Sequence, residues 1–302
     1  MSDATLTQRP PTLQTAASKR WLQRVRQSSS WLHEEVGARM ADRLSWIRLQ
    51  PQQWLSWWPL EGGLKAHAKV QAQYPEASAW LLETTPARAR LAKAQLQVPW
   101  WRRSWRDGWQ AQRLRVSPTV PTQMNMVWAN MVLHQSPDPQ ALLRQWHQAL
   151  AVDGFLMFSC LGPDTLRQLR EVYAQQGWPP PCHEFTDMHD WGDMLVQAGF
   201  AEPVMDMERL TLTYDSPERL LAELRLMGAN FHSARFAGLR TRTWRAQLHQ
   251  ALASLASPAH DGRLVLTVEV IYGHALKPLP KIKMTGESVI ALQDMRGLLK
   301  GS

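Results

Sequence analysis

Apolar positions near the start of the chain recur with the period of an α-helix. The recurring residues are Leu32, Val36, Met40, Leu44 and Ile47. Spacings of three and four place them on one face of an amphipathic helix, which Pro51 brings to an end. Residues 1–18 lack this pattern and contain two consecutive prolines. We therefore predict a disordered tail over 1–18 and a folded domain from residue 19 onward.

Short apolar runs and helical segments alternate through the next hundred residues. The runs predict strands at 53–58, 79–83, 124–129 and 154–159, and the helical spacing predicts helices at 62–72, from Pro86 onward, and at 138–150. Such alternation is typical of a parallel sheet covered by helices on both faces, with ligands at the carboxyl ends of the strands. The predicted fold class is therefore α/β.

The second half of the chain has a different order of elements. Its patterns predict helices at 163–175, 187–198, 217–227 and 241–252, a strand pair near 203–213, and a β-rich stretch at 264–275. These elements can supply antiparallel edge strands and a helical cap at about 214–260. Residues 277–302 lack strong periodicity and are predicted to form a flexible tail. The domain then spans 19–276.

Composition and charge narrow the class of protein. With 302 residues, 44% of them hydrophobic, the chain can bury a substantial core, and no apolar run reaches the ~20 residues of a transmembrane helix. Cys160 and Cys182 do not form a CxxC pair, so neither a disulfide framework nor a cysteine metal site is indicated. We expect a cytoplasmic protein without a metal. The net charge of +8 favours acidic partners.

A basic aromatic cluster lies at 100–115. Its members are Trp100, Trp101, Arg102, Arg103, Trp105, Arg106, Trp109, Arg113 and Arg115. Stacking and cationic contacts of this kind can bind single-stranded nucleic acid, an anionic membrane or the acidic helix of a carrier protein. The tryptophans can equally fold onto the sheet. The cluster is a candidate docking surface, with nucleic acid the least favoured partner.

Several motifs occur in the order found in a known family. They are Trp128-Ala129-Asn130, Leu133-His134-Gln135, and the segments 158–166, 187–195, 198–200, 203–206 and 269–275. With these motifs the chain resembles the malonyl-acyl-carrier-protein O-methyltransferases of biotin synthesis. It resembles more distantly a methyltransferase-fold assembly factor of mitochondrial complex I. The resemblance implies a Rossmann-like class I methyltransferase fold, with seven mostly parallel strands and an antiparallel final hairpin.

The resemblance also implies a cofactor and a substrate. The cofactor is S-adenosylmethionine, and the methyl acceptor is the free carboxylate of malonyl on an acidic acyl carrier protein. Little acid–base chemistry is needed, because a methyl sulfonium already reacts when the donor and acceptor are aligned. The implied cofactor-binding residues are Ser56, Gly62, Gly63, Glu83, Thr84 and Asn130. Among them, Glu83 ends the second strand, where a carboxylate accepts hydrogen bonds from ribose hydroxyls.

The glycine-rich turn of the family is altered in this chain. Residues 56–63 read Ser-Trp-Trp-Pro-Leu-Glu-Gly-Gly, where the family carries Asp-x-Gly-x-Gly-x-Gly. Large side chains fill the space of the methionine moiety, and proline lacks an amide donor, so we expect weak cofactor affinity. In addition, Asn125 replaces an aspartate, no adenine-contacting Asp-x-x-x-Leu-Pro lies within 96–123, and the tyrosine expected near residues 25–27 is missing.

Four residues are candidates on the acceptor side. Arg167 and Arg170 follow the fifth predicted strand, and they can hold a malonyl carboxylate or simply form a solvated face. Tyr272 and His274 lie on the final strand, where they can orient a carboxylate or be buried sheet residues. His183, Asp187, His189 and Asp190 match no metal motif, and Asp187 reads as a helix cap.

Two classes of function remain open from the sequence. One is an S-adenosylmethionine-dependent O-methyltransferase acting on malonyl-acyl carrier protein. The other is a catalytically inactive methyltransferase-fold protein that binds a partner or assists assembly. The first is supported by the acceptor-side motifs, and the second by the altered glycine turn.

Overall fold

The computed structural model describes residues 13–97 and 113–280. The helices are α1 (Thr15–Gln23), α2 (Trp31–Arg43), α3 (Pro59–Gly62), α4 (Leu64–Gln73), α5 (Pro86–Leu96), α6 (Pro139–Ala149), α7 (Arg167–Gln175), α8 (Met188–Gln197), α9 (Pro217–Met227) and α10 (Arg242–Leu252). The strands are β1 (Gln53–Trp57), β2 (Ser78–Leu82), β3 (Leu114–Ser117), β4 (Met124–Ala129), β5 (Leu150–Leu161), β6 (Ala201–Tyr214), β7 (Ala256–Ser257) and β8 (Arg263–Leu276).

The strands form one sheet in the order β3-β2-β1-β4-β5-β8-β6, and the short β7 pairs with β8. The first five strands in this order are mutually parallel. Strand β8 runs antiparallel to both β5 and β6. This confirms the predicted α/β class, including the mostly parallel sheet and the antiparallel final strands.

Both faces of the sheet are covered, which explains the continuous apolar runs of its central strands. Trp54, Met126 and Phe155 belong to the core on one face. Their chain neighbours Leu55 and Val127 belong to the core on the other face. Because successive side chains on a strand point to opposite faces, burial on both faces requires apolar residues at nearly every position.

Helix starts are set by local chemistry that is visible in the sequence. Thr85, Asp138 and Ser216 each accept a hydrogen bond from a first-turn amide of the helix that follows, and each is succeeded by a proline. Proline suits the first helical position because its missing N–H would have no partner in the helix. Asp187 caps α8 in the same way. The predicted starts of these helices are therefore accurate to a residue or two.

Three predicted elements are corrected by the structure. The strand pair predicted near 203–213 is the single strand β6, which pairs with β8 along most of its length. The helix predicted at 62–72 is interrupted at Gly63, whose φ of +114° is not helical. Helix α1 begins at Thr15, inside the predicted tail, because Leu13, Trp21 and Leu22 are buried together. Residues 1–12 lie outside the described part.

Most of the basic aromatic cluster also lies outside the described residues, since 98–112 are not included. Within the described part, Arg113 pairs with Glu76 at 2.7 Å, and the Arg115 guanidinium lies 5.2 Å from the centre of the Trp80 ring. The predicted tail begins with Lys277, whose amide donates to the oxygen of Gly154. Residues 281–302 are not described. Across 13–97 and 113–280, no helix has both the length and the apolar character needed to cross a bilayer.

Candidate functional site

The sheet changes direction of winding between β1 and β4, and ligands of open α/β sheets bind beyond the strand ends at such a point. Here the turn 58–63 follows β1. Trp58 takes the left-handed conformation, with φ of +51°, which favours glycine. The backbone N–H groups of residues 58 and 60–66 all donate to acceptors within the protein, and Pro59 has no N–H group.

Glu83 lies at this point and is fully engaged. Its Oε1 accepts from the Leu60 amide at 2.7 Å, and its Oε2 accepts from Arg88 Nε at 2.7 Å. Both side chains have 0% solvent exposure. Burial raises the pKa of Glu83, although the Arg88 guanidinium and the Leu60 amide oppose the shift. The carboxylate is therefore held by the protein itself.

A second carboxylate occupies the amides at the start of α4. Glu34 Oε1 accepts from Leu64 N at 3.0 Å, and its Oε2 accepts from Ala66 N at 2.9 Å. Ser29 donates its hydroxyl to the same Oε1 at 2.6 Å. Free amides at a helix start normally attract the anionic part of a ligand. At α4 that role is filled by the side chain of Glu34.

The other predicted cofactor residues are also engaged within the protein. Asn130 donates to the backbone oxygens of His33 and Gly62 and accepts from Ser159. A Cβ added at Gly62 would lie 2.8 Å from the Asn130 oxygen, and one at Gly63 would lie 2.6 Å from Glu34 Oε2. Ser56 pairs with His67 Nδ1 at 3.0 Å, and Thr84 donates to the Leu22 oxygen at 2.6 Å. The predicted residues are brought together, without a free polar group.

Glu61 lies behind the turn and joins it to the N-terminal helix. Trp21 Nε1 and Gln135 Nε2 donate to its Oε1 at 3.3 and 3.2 Å. The guanidinium of Arg26 approaches the same oxygen at 3.8 Å and lies over the Trp21 ring. This buried cluster separates the turn from the open space on the other side of Trp21.

That open space is a cavity of about 430 Å³, within the usual range of small-molecule sites. It lies beyond the ends of β4 and β5 and is bordered by α7, α9 and the segment 181–185. Its lining is mainly apolar and includes Leu161, Leu166, Leu169, Phe185, Leu221, Leu224, Met227 and Phe231. In the described residues, no aspartate or glutamate lines it. The cavity therefore suits an apolar or anionic group.

Two arginines line the cavity, and sequence reasoning missed both. Arg24 follows α1 and Arg225 lies on α9. None of the salt bridges among the described residues involves either guanidinium. The two arginines are 201 positions apart, so their proximity arises only from the docking of α1 and α9. The single sequence signal is that Arg225 falls on the predicted cap helix.

The predicted acceptor-side arginines lie beside the cavity without lining it. Leu166, just before α7, and Leu169 and Tyr173 on α7 line the cavity. Arg167 is exposed, and Arg170 donates to the backbone oxygen of Pro163. Their assignment to the acceptor stays a prediction.

Tyr272 and His274 lie on β8, away from the cavity lining. The Tyr272 hydroxyl donates to Glu208 at 3.2 Å, and the Arg43 guanidinium lies 3.8 Å from the centre of its ring. His274 packs against Phe155 with ring centres 5.7 Å apart. These contacts are those of sheet residues, and an acceptor role for either residue remains a prediction.

Two cavity histidines are kept neutral by burial. Burial lowers the pKa of His183 to about 4, and it lowers the pKa of His134 with help from His183 and His33. His183 Nε2 lies 3.1 Å from the His134 backbone oxygen. No cluster of histidine, cysteine or acidic side chains in the described part of the chain could hold a metal ion.

The sheet order, the antiparallel final strands and the site at the strand ends define a class I methyltransferase fold. Two solved structures share it: a Bacillus halodurans protein assigned to the methyltransferases and the YcgJ protein of Bacillus subtilis. Each has a TM-score of 0.52, with 15% and 12% identity respectively. They cover 80% and 81% of this chain, and the chain covers 99% of each.

Relatives with higher sequence identity to this chain show the family to which it belongs. One from Gallionella capsiferriformans is 36% identical over 267 residues, which is 87% of this chain and 90% of the relative. Another from Laribacter hongkongensis is 38% identical over 251 residues, or 82% and 83% of the two chains. Both are named malonyl-acyl-carrier-protein O-methyltransferase. No family model matches the chain. The chain belongs to the malonyl-acyl-carrier-protein O-methyltransferase family.

S-adenosylmethionine does not fit the turn as the structure has it. Each oxygen of the Glu83 carboxylate already accepts a hydrogen bond from the protein, and the side chain has no solvent exposure. The amides of residues 58 and 60–66 are bonded within the protein, and Trp58 takes a left-handed conformation that favours glycine. In this conformation Glu83 is bonded to Leu60 and Arg88, and it would have to give up one of these bonds to accept a hydrogen bond from a nucleoside.

Proposed function

We propose that this chain is an O-methyltransferase that methylates the free carboxylate of malonyl carried on an acyl carrier protein, with S-adenosylmethionine as donor. Membership of the family supports this function. The observation that carries it in the structure is the acceptor cavity, which is apolar and has arginines as its only charged lining residues in the described part. A malonyl thioester combines an apolar body with a terminal anion.

Arg24 and Arg225 are the proposed carboxylate partners. Both guanidinium groups are free of carboxylates in the described part of the chain, and His134 and His183 are neutral. A bound anion would therefore meet positive charge from two directions. The apolar wall formed by Leu221 and Leu224 would exclude water from the bound acyl group.

Methyl transfer is tested by incubating the full chain with S-adenosylmethionine and malonyl-acyl carrier protein. Mass spectrometry of the carrier should show the gain of one methyl group, and acetyl-acyl carrier protein, which lacks the free carboxylate, should not gain it. Carrier binding without methylation, under any condition that loads the cofactor, would favour the inactive binding protein instead.

The role of the arginines is tested by their replacement. Arg225→Ala should weaken binding of malonyl-acyl carrier protein by about tenfold, a loss of roughly 1.4 kcal/mol that is typical of one charged hydrogen bond. Arg219→Ala is the matched control, because Arg219 is exposed on the same helix and does not line the cavity. Equal binding by the two variants would remove Arg225 from the acceptor site.

A further inference from the structure

The carboxylate at the end of β2 has an internal partner where a ligand would be expected. In nucleotide-binding α/β folds, an acidic residue at this place accepts hydrogen bonds from the ribose. Glu83 has this position, one residue beyond Leu82. Its oxygens are taken by Leu60 N and Arg88 Nε, each at 2.7 Å. Arg88 therefore holds the group that a ribose would use.

Arg88 also fixes the segment that covers the site. Its Nη1 donates to the Arg24 backbone oxygen at 2.7 Å. Beside it, Thr84 donates to the Leu22 oxygen at 2.6 Å. The last turn of α1 and the residue that follows the helix are thus bound to the end of β2 by two side chains. Release of Arg88 from Glu83 would remove one of these bonds as well as the ion pair.

The ion pair is incompletely satisfied, which is consistent with a contact that can open. Arg88 Nη2 is buried and has no hydrogen-bond partner in the described part of the chain. A buried donor without an acceptor raises the free energy of the closed state. The closed state also holds Trp58 in the left-handed conformation, which is costly for a residue with a Cβ. Both features raise the free energy of the observed conformation.

We propose that Arg88 is a gate at the nucleoside site: S-adenosyl ligands bind only when its guanidinium leaves Glu83 and releases the segment after α1. The inference rests on the proposed function, because it concerns the proposed donor. Beyond that function, it assigns to Arg88 the role of competing with the ligand for the Glu83 carboxylate. Ligand binding then has to displace an internal salt bridge. The apparent affinity equals the affinity of the open state multiplied by the fraction of molecules that are open.

The test measures S-adenosylhomocysteine binding by isothermal titration, without turnover. Arg88→Met removes the guanidinium and keeps an unbranched side chain in place of its aliphatic part. We expect the variant to bind at least tenfold more tightly than the unmodified chain. Arg90→Met is the matched control, since Arg90 is exposed on the same helix, and it should bind like the unmodified chain. Adding Glu83→Ala to Arg88→Met should abolish the gain.

Two outcomes would overturn the gate. One is binding by Arg88→Met that is no tighter than binding by the unmodified chain, and the other is no binding by either protein at millimolar ligand. If Arg88→Met does not fold, Arg88→Gln replaces it, because its amide stands near the position of Arg88 Nε and removes both the charge and the bond to the Arg24 oxygen. This variant should also bind S-adenosylhomocysteine more tightly than the unmodified chain. Circular dichroism establishes folding before each titration.

The gate and the methyltransferase function fail differently. If Arg88→Met binds S-adenosylhomocysteine tightly and transfers no methyl group to malonyl-acyl carrier protein, the gate stands and the proposed function does not. If the unmodified chain binds the ligand tightly and methylates the carrier, the function stands and the gate does not.

Discussion

The hydroxyl of Ser18 donates a hydrogen bond of 2.7 Å to the backbone oxygen of Gln135. Ser18 lies in α1 and is fully buried, and Gln135 follows β4. The bond places the N-terminal helix over the strand ends, where Trp21 and Gln135 share the Glu61 carboxylate. The helix is therefore part of the site.

Ser18→Ala should loosen α1 without unfolding the sheet. The change removes one buried hydrogen bond, so we expect a loss of about 1 kcal/mol in the free energy of unfolding. Hydrogen exchange should become faster in residues 15–23 and stay unchanged in β4 and β5. Lys19→Ala is the control, because Lys19 is exposed on the same helix. Unchanged exchange in α1 would show that this bond does not fix the helix.

The variant Trp58→Gly should be more stable to unfolding than the variant Trp58→Ala. Both substitutions remove the indole, so they lose the same packing, but only alanine keeps a Cβ in the left-handed conformation at φ of +51°. We expect the free energy of unfolding, measured with urea, to be about 1 kcal/mol higher for Trp58→Gly than for Trp58→Ala. Equal stability of the two variants would mean that the turn relaxes to another conformation.

Stability should fall as the pH drops below neutrality, in part because of His67. Burial lowers its pKa from 6.5 to about 3. Between these values the unfolded chain binds a proton that the folded chain does not, so the contribution is fully present above pH 6.5 and is lost toward pH 3. At pH 5 the loss is roughly 2 kcal/mol, at about 1.4 kcal/mol per pH unit.

The measurement compares His67→Gln with the unmodified chain. Urea unfolding at pH 7.5, 6 and 5 should show a shallower decline for the variant, even though it is less stable at pH 7.5. His189→Gln is the control, since His189 is exposed. A decline that is as steep in His67→Gln as in the unmodified chain would assign the pH dependence to other groups, such as His134 and His183.

Tyr272→Phe distinguishes a sheet residue from an acceptor residue. The hydroxyl donates to Glu208 at 3.2 Å, and the ring lies under the Arg43 guanidinium. Loss of the hydroxyl should cost about 1 kcal/mol of stability and leave the affinity for malonyl-acyl carrier protein unchanged. Thermal unfolding and carrier titration measure the two effects. A tenfold weaker affinity at unchanged stability would restore Tyr272 to the acceptor site.

Much of the site was predictable at the level of elements and little at the level of contacts. The position of Glu83 after β2 follows from the apolar run at 79–83 and the helix signal at Pro86. Arg88 is only five residues away, yet its pairing depends on the pitch of α5 and on burial beneath the Arg24 segment. Those are properties of packing, which local pattern does not encode.

The sequence by itself determined the α/β class, the order of elements, most helix starts and the altered glycine turn. These follow from short-range rules: side-chain period, proline at helix starts, capping residues and the backbone needs of a tight turn. The tertiary structure alone decided that Glu83 faces Arg88, that α1 covers the strand ends, and that Arg24 and Arg225 share a cavity. Such contacts join residues far apart in the chain, and they form only when the free energy of packing the whole domain fixes which surfaces meet.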